Sequence, residues 1–318
     1  MGMHLHVCPK VPPMSRKEFT RPYSIALDGY VHGGPWFDKK GPCINFNHHE
    51  GVDRLATRST CAQVYLAIRQ GLFLRFHDKA FRHHAHVYVN DCDEDVCMAW
   101  FLLKHGRIVE RGVNLLLNRL VFMEDFLDTT SGAYPLPPDY PVLQEVNWVF
   151  EPYQQFRFTG GVYRRSEGEY RDIIDIVCNR ITEYIHGRGK TVALDTRYER
   201  LGGGENWSLI RKIGAQARTG MFADGVHAYV SVQQRTRQNV WDYAIGRTSI
   251  FVDFDIQQAC KRLNKVEGLV DNPDRWGGGN TTGGSPRIAG SKLPPEKVEE
   301  IMNQSCVCEN RNGNRSER

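Results

Sequence analysis

Short apolar strands alternate with helices along the first third of the chain, and this alternation is the feature that most constrains its fold. Strands are predicted at residues 23–27, 43–46 and 86–89, because each is short, is apolar or β-branched, and is followed at once by polar residues. Helices are predicted at residues 60–70 and 95–105, where apolar side chains recur at helical spacing and a glycine follows. Strands that alternate with helices favour an α/β fold with a largely parallel sheet.

The length of the chain predicts two α/β domains. At about 150 residues per domain, 318 residues correspond to two cores. The proline-rich segment 135–141 marks the end of the first core, because prolines fix φ and remove hydrogen-bond donors. The predicted domains are a larger N-terminal parallel-sheet domain at 1–141, a connecting segment and helix at 142–189, a smaller C-terminal domain at 190–303 and a disordered tail at 304–318. The elements predicted after the prolines are helices at 169–186, 207–217, 256–263 and 294–303 and strands at 191–194, 227–232, 241–245 and 250–254.

The composition excludes several classes of protein. Forty-one Lys and Arg residues against 37 Asp and Glu residues give a net charge of only +4, which is too small to indicate a general nucleic-acid binder. No apolar run approaches the roughly 18 residues that a membrane span needs. The amino end shows no secretion signal, and the nine cysteines contain no C-x-x-C pair. A cytoplasmic protein without a membrane partner is expected, and its oligomeric state stays open, with a homodimer as one option.

Two histidines follow the second predicted strand. Residues 45–50 read Asn-Phe-Asn-His-His-Glu, and they lie where a buried strand emerges into a loop, the edge at which open α/β sheets bind ligands. Adjacent side chains at a strand end point in different directions. One of His48 and His49 can therefore bind a metal while its neighbour orients water or a phosphate oxygen. The alternative is a loop with two polar residues and no ligand.

An acidic segment follows the third predicted strand. Residues 90–95 read Asn-Asp-Cys-Asp-Glu-Asp, and four carboxylates within five residues repel one another unless a cation compensates them. Asp91 and Asp93 can converge on a hard divalent cation from an irregular turn. Asp95 suits the N-cap of the following helix, and an acidic capping loop without metal is the alternative.

Three more carboxylates lie at the ends of predicted elements. Asp28 follows the first strand, and Asp125 and Asp128 end an apolar helix, although each also suits an ordinary turn. With the histidines and the acidic segment, they supply the mixed oxygen and nitrogen ligands that suit Mn²⁺ or a similar divalent ion. The sequence therefore predicts a metal site in the first domain.

A glycine-rich segment near the carboxyl end predicts anion binding. Residues 276–287 contain five glycines within eight residues, which leave backbone N–H groups open to phosphate oxygens, and Arg287 can add a charge-assisted contact. The alternative is a flexible loop. The glycines at 202–204 lack the Lys-Ser/Thr of a P-loop, and the histidines at 83–86 precede a strand whose alternate residues face opposite sides, so neither segment is predicted to bind a ligand.

Three of these segments together resemble the DHH/DHHA1 phosphoesterase superfamily. Residues 46–50 are similar to its Asp-His-His motif, and residues 90–95 are similar to its D-x-D motif before an apolar helix. Residues 277–280 look like the G-G-G-H signature of its smaller C-terminal domain. The resemblance covers most of residues 23–303.

The resemblance implies two domains facing across a cleft, with two Mn²⁺ ions in the first and Mg²⁺ as the other option. It implies two-metal hydrolysis of a phosphodiester bond in a small nucleotide substrate, a dinucleotide or a short oligonucleotide. The implied metal ligands are Asp28 as the bridging carboxylate, His48, Asp91, Asp93 and either Asp128 or Asp125, and the implied catalytic residues are His49, Asp28 and Asp91. The implied substrate-binding residues are Gly277, Gly278, Gly279, Asn280 and Arg287, and Arg235, Arg237 and Arg247 would extend this positive wall or form a solvated face.

Three substitutions keep other functions open. Asn47, Val89 and Asn280 stand where the family has Asp, His and His, and the D-x-D segment follows the histidine pair instead of preceding it. A chain that keeps the nucleotide ligand but has lost turnover would be a catalytically degraded nucleotide-binding protein of the same fold. A scaffold whose carboxylate loop holds a structural ion is a third hypothesis.

Overall fold

The protein folds into two compact units. A computed structural model describes residues 2–132, 134, 136–235 and 238–312, with side chains up to residue 304. Unit 1 comprises Met1–Thr130 and Pro141–Ala193, and unit 2 comprises Ser131–Tyr140 and Leu194–Arg318. Across the described residues, the structure contains no helix that is both long enough and apolar enough to cross a bilayer.

Unit 1 is built on a five-stranded sheet. Its strands are β1 (Met3–Val7), β2 (Ser24–Leu27), β3 (Trp36–Asp38), β4 (Cys43–Phe46) and β5 (Ala85–Val89). The order across the sheet is β1-β5-β2-β4-β3; the first four of these are parallel, and β3 pairs antiparallel at the edge. The predicted α/β class and the largely parallel first sheet are confirmed.

Six helices complete the part of unit 1 that the structure describes. They are α1 (Thr60–Arg69), α2 (Glu94–Lys104), α3 (Gly106–Arg111), α4 (Leu115–Thr129), α5 (Pro141–Phe158) and α6 (Glu167–Glu183). Ser59 caps α1 by accepting the N–H of Ala62, and α2 is buried along almost its whole length. Helices α5 and α6 cover the segment predicted as a connector, and their apolar residues, such as Val149 and Ile174, pack in the core of unit 1.

Unit 2 contains a mixed six-stranded sheet. Its strands are β6 (Tyr198–Gly203), β7 (Ser208–Lys212), β8 (Ala228–Arg235), β9 (Val240–Arg247), β10 (Gly277–Gly278) and β11 (Thr282–Gly284), in the order β10-β11-β9-β8-β7-β6. Its helices are α7 (Ala217–Ala223), α8 (Ile256–Glu267) and α9 (Pro295–Asn312). Only β7 and β8 pair in parallel. Helix α9 continues past the predicted end at residue 303, and residues 313–318 of the predicted tail lie outside the described residues.

Several predicted elements are wrong. Residues 191–194 have no regular structure, residues 250–254 form a turn, and residues 207–217 contain β7 where a helix was predicted. Leu209 and Ile210 are buried in two different clusters, so β7 is apolar on both faces and lacks the alternation that indicates a strand. Strands β1 and β3 were not predicted, although β1 alternates apolar residues with histidines as a strand does; β3 has only three residues.

Candidate metal centre

Three strands bring the residues that follow them to one edge of the sheet in unit 1. Strands β5, β2 and β4 are neighbours and run parallel, so Asp91, Asp28 and His48 leave the sheet at the same edge. The position of β5 between β1 and β2 explains how the acidic segment reaches this edge although it comes last along the chain. Asp28 has a left-handed φ of 50° at the turn after β2, a conformation that is strained for a residue with a side chain.

His48 lies at the centre of the cluster. Its side chain is fully buried, and its Nε2 atom lies 2.7 Å from Asp128 Oδ2, 3.6 Å from Asp28 Oδ1 and 3.7 Å from Asp95 Oδ2. Among the described residues, neither ring nitrogen of His48 has a hydrogen-bond partner and Asp128 Oδ2 also has none, so the 2.7 Å approach lacks hydrogen-bond geometry. Buried polar atoms without partners are rare. Donor atoms that converge without bonding to one another are what a bound cation would satisfy.

The potential ligands form two overlapping groups within the described residues. Asp28, His48 and His49 make one group and His48, Asp95 and Asp128 make the other, with the ligand atoms of each group within 4.8 Å of one another. A single ring nitrogen binds one ion only, so His48 can serve one ion. Asp28 Oδ1 approaches the Nε2 atoms of both histidines, and Asp28 belongs to the same group as both, which agrees with a bridging position between two ions.

His49 differs from His48 in its surroundings. Its side chain is 40% exposed, and its Nε2 atom lies 2.8 Å from Asp28 Oδ1. The same oxygen accepts a 3.0 Å hydrogen bond from the hydroxyl of Thr60. His49 is therefore the histidine of the pair that a substrate can reach.

Asn47 is buried, and its side chain is bonded to the backbone. Its Nδ2 donates to the carbonyl oxygen of Gly33 at 2.9 Å, and its Oδ1 accepts the N–H of His49 at 3.0 Å. The side chain thus holds the loop in shape, and it belongs to neither group of potential ligands.

Asp95 is a site residue that the sequence analysis assigned differently. The predicted N-cap role belongs to Asp93, whose Oδ1 accepts the N–H of Val96 at 2.9 Å. Asp95 lies in the first turn of α2 and accepts the N–H groups of Thr60 at 2.7 Å and Cys61 at 2.6 Å, so it joins the starts of α1 and α2 beside His48. The signal for this arrangement was present, because Asp93 precedes the apolar residue Val96 by the three positions that N-capping requires.

Asp91 and Asp93 belong to neither group of potential ligands. Asp91 Oδ1 accepts the N–H of Cys92 at 2.7 Å. Burial raises the pKa of Asp93 well above its usual value, and the charges of Asp28 and Asp91 raise it further, so both carboxylates face the same acidic region. Their roles as ligands stay predictions.

The two aspartates of α4 are held in different ways. Asp125 is satisfied by Arg58 Nη1 at 2.6 Å and by the backbone N–H of Ser59 at 2.8 Å. Asp128 approaches His48, and its other carboxylate oxygen accepts from Arg54 Nη2 at 2.9 Å. The geometry favours Asp128 over Asp125 as the ligand.

The electrostatics of the cluster reflect an excess of buried carboxylates. Burial, together with the charges of Asp128 and Asp28, raises the pKa of Asp95 to about 7. Burial opposes protonation of His48, but the carboxylates of Asp128 and Asp28 outweigh it and raise its pKa to about 10. Burial also raises the pKa of Asp28, yet the neighbouring imidazoles, His49 first and then His48, hold it well below its usual value. Bound cations would relieve this repulsion.

The predicted substrate-binding residues of unit 2 are not gathered in the same way. Gly277 and Gly278 form β10 of a hairpin, and the N–H of Gly279 donates to Thr282 O at 2.8 Å. Arg287 is exposed, and its carbonyl oxygen accepts from Arg235, whose guanidinium pairs with Asp242. Arg247 and Asn280 line a pocket, and Arg237 lies outside the described residues.

Comparison with known proteins adds no relative. No family model, no curated protein and no solved structure matches the chain.

Proposed function

We propose that the chain is a metal-dependent phosphoesterase with its metal centre at the sheet edge of unit 1. The observation that carries the proposal is the buried imidazole of His48. Its nitrogens have no hydrogen-bond partner in the part of the chain that the structure describes, although three carboxylates lie within 3.7 Å of Nε2. The resemblance of residues 46–50 and 90–95 to DHH motifs supplies the reaction class. The predicted two-domain DHH organisation is part of the same proposal.

The residues fit a divalent ion of the manganese type. His48, Asp28, Asp95 and Asp128 would hold it, with Asp28 placed to share a second ion. A mixed set of one imidazole and several carboxylates suits Mn²⁺, whereas Mg²⁺ prefers oxygen ligands alone. When bound, such an ion lowers the pKa of a water molecule and neutralises charge at phosphorus.

The side chains of the chain would divide the remaining tasks. Asp28 orients the exposed imidazole of His49 through a 2.8 Å contact, and His49 would contact the phosphoryl group of the substrate. Arg54 fixes the carboxylate of Asp128 from the side opposite His48. A net charge of +4 does not provide the extended basic groove that long nucleic acids need, so a dinucleotide or short oligonucleotide is the proposed substrate.

A second candidate is a nucleotide-binding protein without turnover. The side chain of Asn47 forms its hydrogen bonds with the loop backbone. The family motif has a carboxylate at this position. A chain that has lost one carboxylate in this way can retain a metal and a ligand while hydrolysis fails. Turnover in the presence of metal separates the two candidates.

The test is a screen of the purified full chain, with Mn²⁺ or with EDTA, against dinucleotides, cyclic dinucleotides, short oligonucleotides and pyrophosphate. Bound metal is measured by elemental analysis in parallel. We expect Mn²⁺-dependent hydrolysis of a small phosphodiester by the wild type. Binding of Mn²⁺ without hydrolysis of any substrate would favour the second candidate, and absence of bound Mn²⁺ would reject the centre.

Two variants at the start of α2 distinguish the metal ligands that the structure favours from those that the sequence predicts. Asp95→Asn should remove most of the bound metal. Asp93→Ser should keep it, because serine also caps a helix. Metal loss in Asp93→Ser with a normal circular dichroism spectrum would restore the D-x-D assignment.

A further inference from the structure

Unit 2 contains a pocket of about 590 Å³ that is formed by its own residues. Residues 250–255, which lead into α8, and Gln257 in its first turn make one wall, and Asn280 at the tip of the glycine hairpin makes another. Volumes of several hundred Å³ are typical of small-ligand sites.

Hydrogen bonds hold the walls of this pocket in place. Arg247 Nε donates to the carbonyl oxygen of Asn280 at 2.6 Å, and Arg247 Nη1 donates to that of Val252 at 2.9 Å. Gln257 Nε2 donates to Asn280 Oδ1 at 3.2 Å. The turn and the hairpin tip are thus tied together, so the pocket is formed before a ligand arrives.

The charges of the pocket do not suit a phosphate. Arg247, its cation, already donates to two main-chain carbonyl groups. Asp253 and Asp255 line the same pocket, and Asp255 caps α8 by accepting the N–H of Gln258 at 3.0 Å. The start of α8 is therefore already occupied by a carboxylate, and a phosphate would meet two negative charges.

The same pocket suits a planar ring that donates hydrogen bonds. The side chain of Phe251 in its lining is 89% exposed, and that of Ile250 is 52% exposed. Exposed aromatic rings of this kind stack with nucleobases. Among the described residues, no hydrogen bond or ion pair uses the carboxylate of Asp253. Guanine presents two adjacent N–H donors that one carboxylate can accept together.

We propose that this pocket binds the base of a nucleotide, with a preference for guanine, through stacking on Phe251 and hydrogen bonds to Asp253. The choice of a nucleotide as the ligand rests on the proposed function. The phosphate of that nucleotide lies outside the pocket, in contrast to the anion site that the glycine-rich sequence predicts.

The test is a calorimetric titration of the full chain in EDTA with guanosine 5′-monophosphate, uridine 5′-monophosphate and ribose 5-phosphate. We expect the guanosine nucleotide to bind at least about fivefold more tightly than ribose 5-phosphate, since base stacking on an aromatic ring contributes roughly that factor or more. Phe251→Ala should weaken binding of the guanosine nucleotide by about tenfold or more, and Phe251→Tyr should retain it. Asp253→Asn should remove the preference over the uridine nucleotide.

Two controls match these variants. Ile288→Ala removes another exposed apolar side chain of unit 2, and Asp271→Asn removes another exposed carboxylate; neither residue lines the pocket. Both should leave all three affinities unchanged.

Two results would overturn the proposal that the pocket binds a base. One is ribose 5-phosphate binding as tightly as the guanosine nucleotide, and the other is wild-type affinity in Phe251→Ala. Because EDTA removes metal from this titration, its failure is separate from failure of the proposed function. Metal-dependent turnover without base binding in the pocket rejects only the pocket. Base binding in a chain that takes up no Mn²⁺ rejects only the metal centre.

Discussion

The sheet edge of unit 1 and the glycine hairpin of unit 2 were both predicted to bind ligands, yet they keep their polar groups in opposite states. At the sheet edge, the nitrogens of His48 and Asp128 Oδ2 are buried and make no hydrogen bond to any residue that the structure describes. At the hairpin, the N–H of Gly279 and the guanidinium of Arg247 are bonded to neighbouring backbone. Glycine content predicts an accessible backbone, whereas the proposed metal centre rests on buried polar atoms that converge without hydrogen bonds. We therefore expect substitutions at the sheet edge to have the larger functional effects.

The largest effect is expected from the two aspartates of α4. Asp128→Ala should lower metal affinity by 100-fold or more, on the order of the loss expected when a metal ligand or its support is removed, and should abolish turnover. Asp125→Ala should keep the metal but destabilise the fold by about 1–3 kcal/mol, since it leaves the buried N–H of Ser59 unpaired. Metal titration and thermal unfolding of both variants check this. Equal metal loss in the two would show that α4 contributes structure and no ligand.

Substitutions of the two histidines test whether His49 contacts the substrate while His48 binds the metal. His49→Ala should lower kcat by about 100-fold, the scale of a lost proton-transfer or positioning group, with Mn²⁺ stoichiometry unchanged. His48→Ala should lose the metal and turnover together. Steady-state kinetics with elemental analysis measure both, and metal loss in His49→Ala equal to that in His48→Ala would reverse the assignment.

The stability of the metal-free protein should fall as pH rises. The pKa of Asp95 is raised to about 7 and that of His48 to about 10, so the folded state binds both protons more tightly than the unfolded chain does. The contribution of Asp95 is lost between about pH 4 and pH 7, and that of His48 between about pH 6.5 and pH 10. Asp28, with its lowered pKa, has the opposite sign, but its contribution is lost only below about pH 4.

Thermal unfolding in EDTA at pH 5, 7 and 9 measures this dependence. We expect Tm to fall by roughly 5 °C or more across the range, given about 2–4 °C per kcal/mol for domains of this size. Saturating Mn²⁺ should remove most of the decrease, because the ion replaces the protons. A Tm that rises from pH 5 to pH 9 in EDTA would contradict the electrostatics of the cluster.

The smallest effects are expected in the glycine hairpin. A Cβ at Gly278 would lie 2.3 Å from Gly283 Cα, whereas one at Gly279 would meet nothing within 4 Å. Gly278→Ala should therefore destabilise the protein by about 1–3 kcal/mol, and Gly279→Ala by less than about 0.5 kcal/mol. Thermal unfolding and nucleotide affinity should be measured for both. A Gly279→Ala variant that loses nucleotide affinity while its stability stays almost unchanged would support the predicted phosphate contact.

The sequence predicted which strand ends meet at the candidate metal centre better than it predicted which carboxylates lie beside His48. Strands β2, β4 and β5 were predictable because each is a short apolar run ended by polar residues, and their parallel pairing brings Asp28, His48 and the acidic segment to one edge. The choice among adjacent carboxylates depends on where α2 begins. If the start of α2 is placed two residues too late, Asp95 is taken for the capping residue in place of Asp93. The periodicity of apolar residues does not define the first residue of a helix that closely.

The strands of unit 2 were harder to predict, because burial on both faces removes the alternation of apolar and polar residues that indicates a strand. Strand β7 is apolar on both faces, and residues 250–254 are apolar enough to resemble a strand although they form the wall of a pocket. Phe251 was consequently predicted to lie in a strand. In the structure it lies in a turn, and its exposed ring is the feature that suggests a ligand. Local pattern does not reveal which apolar residues remain uncovered after the chain has folded.

The contacts of Asp95 have a consequence for the protein in its metal-free state. Helices α1 and α2 both begin at the acidic edge, and the first N–H groups of α1 point at Asp95. Each helix start carries roughly half a positive elementary charge, so the backbone itself offsets part of the carboxylate repulsion before an ion is bound. Small zinc domains, by contrast, stay unfolded until their metal arrives. Under the proposed function, folding and metal loading would therefore be separable steps, and the supply of manganese would set the fraction of folded molecules that is active.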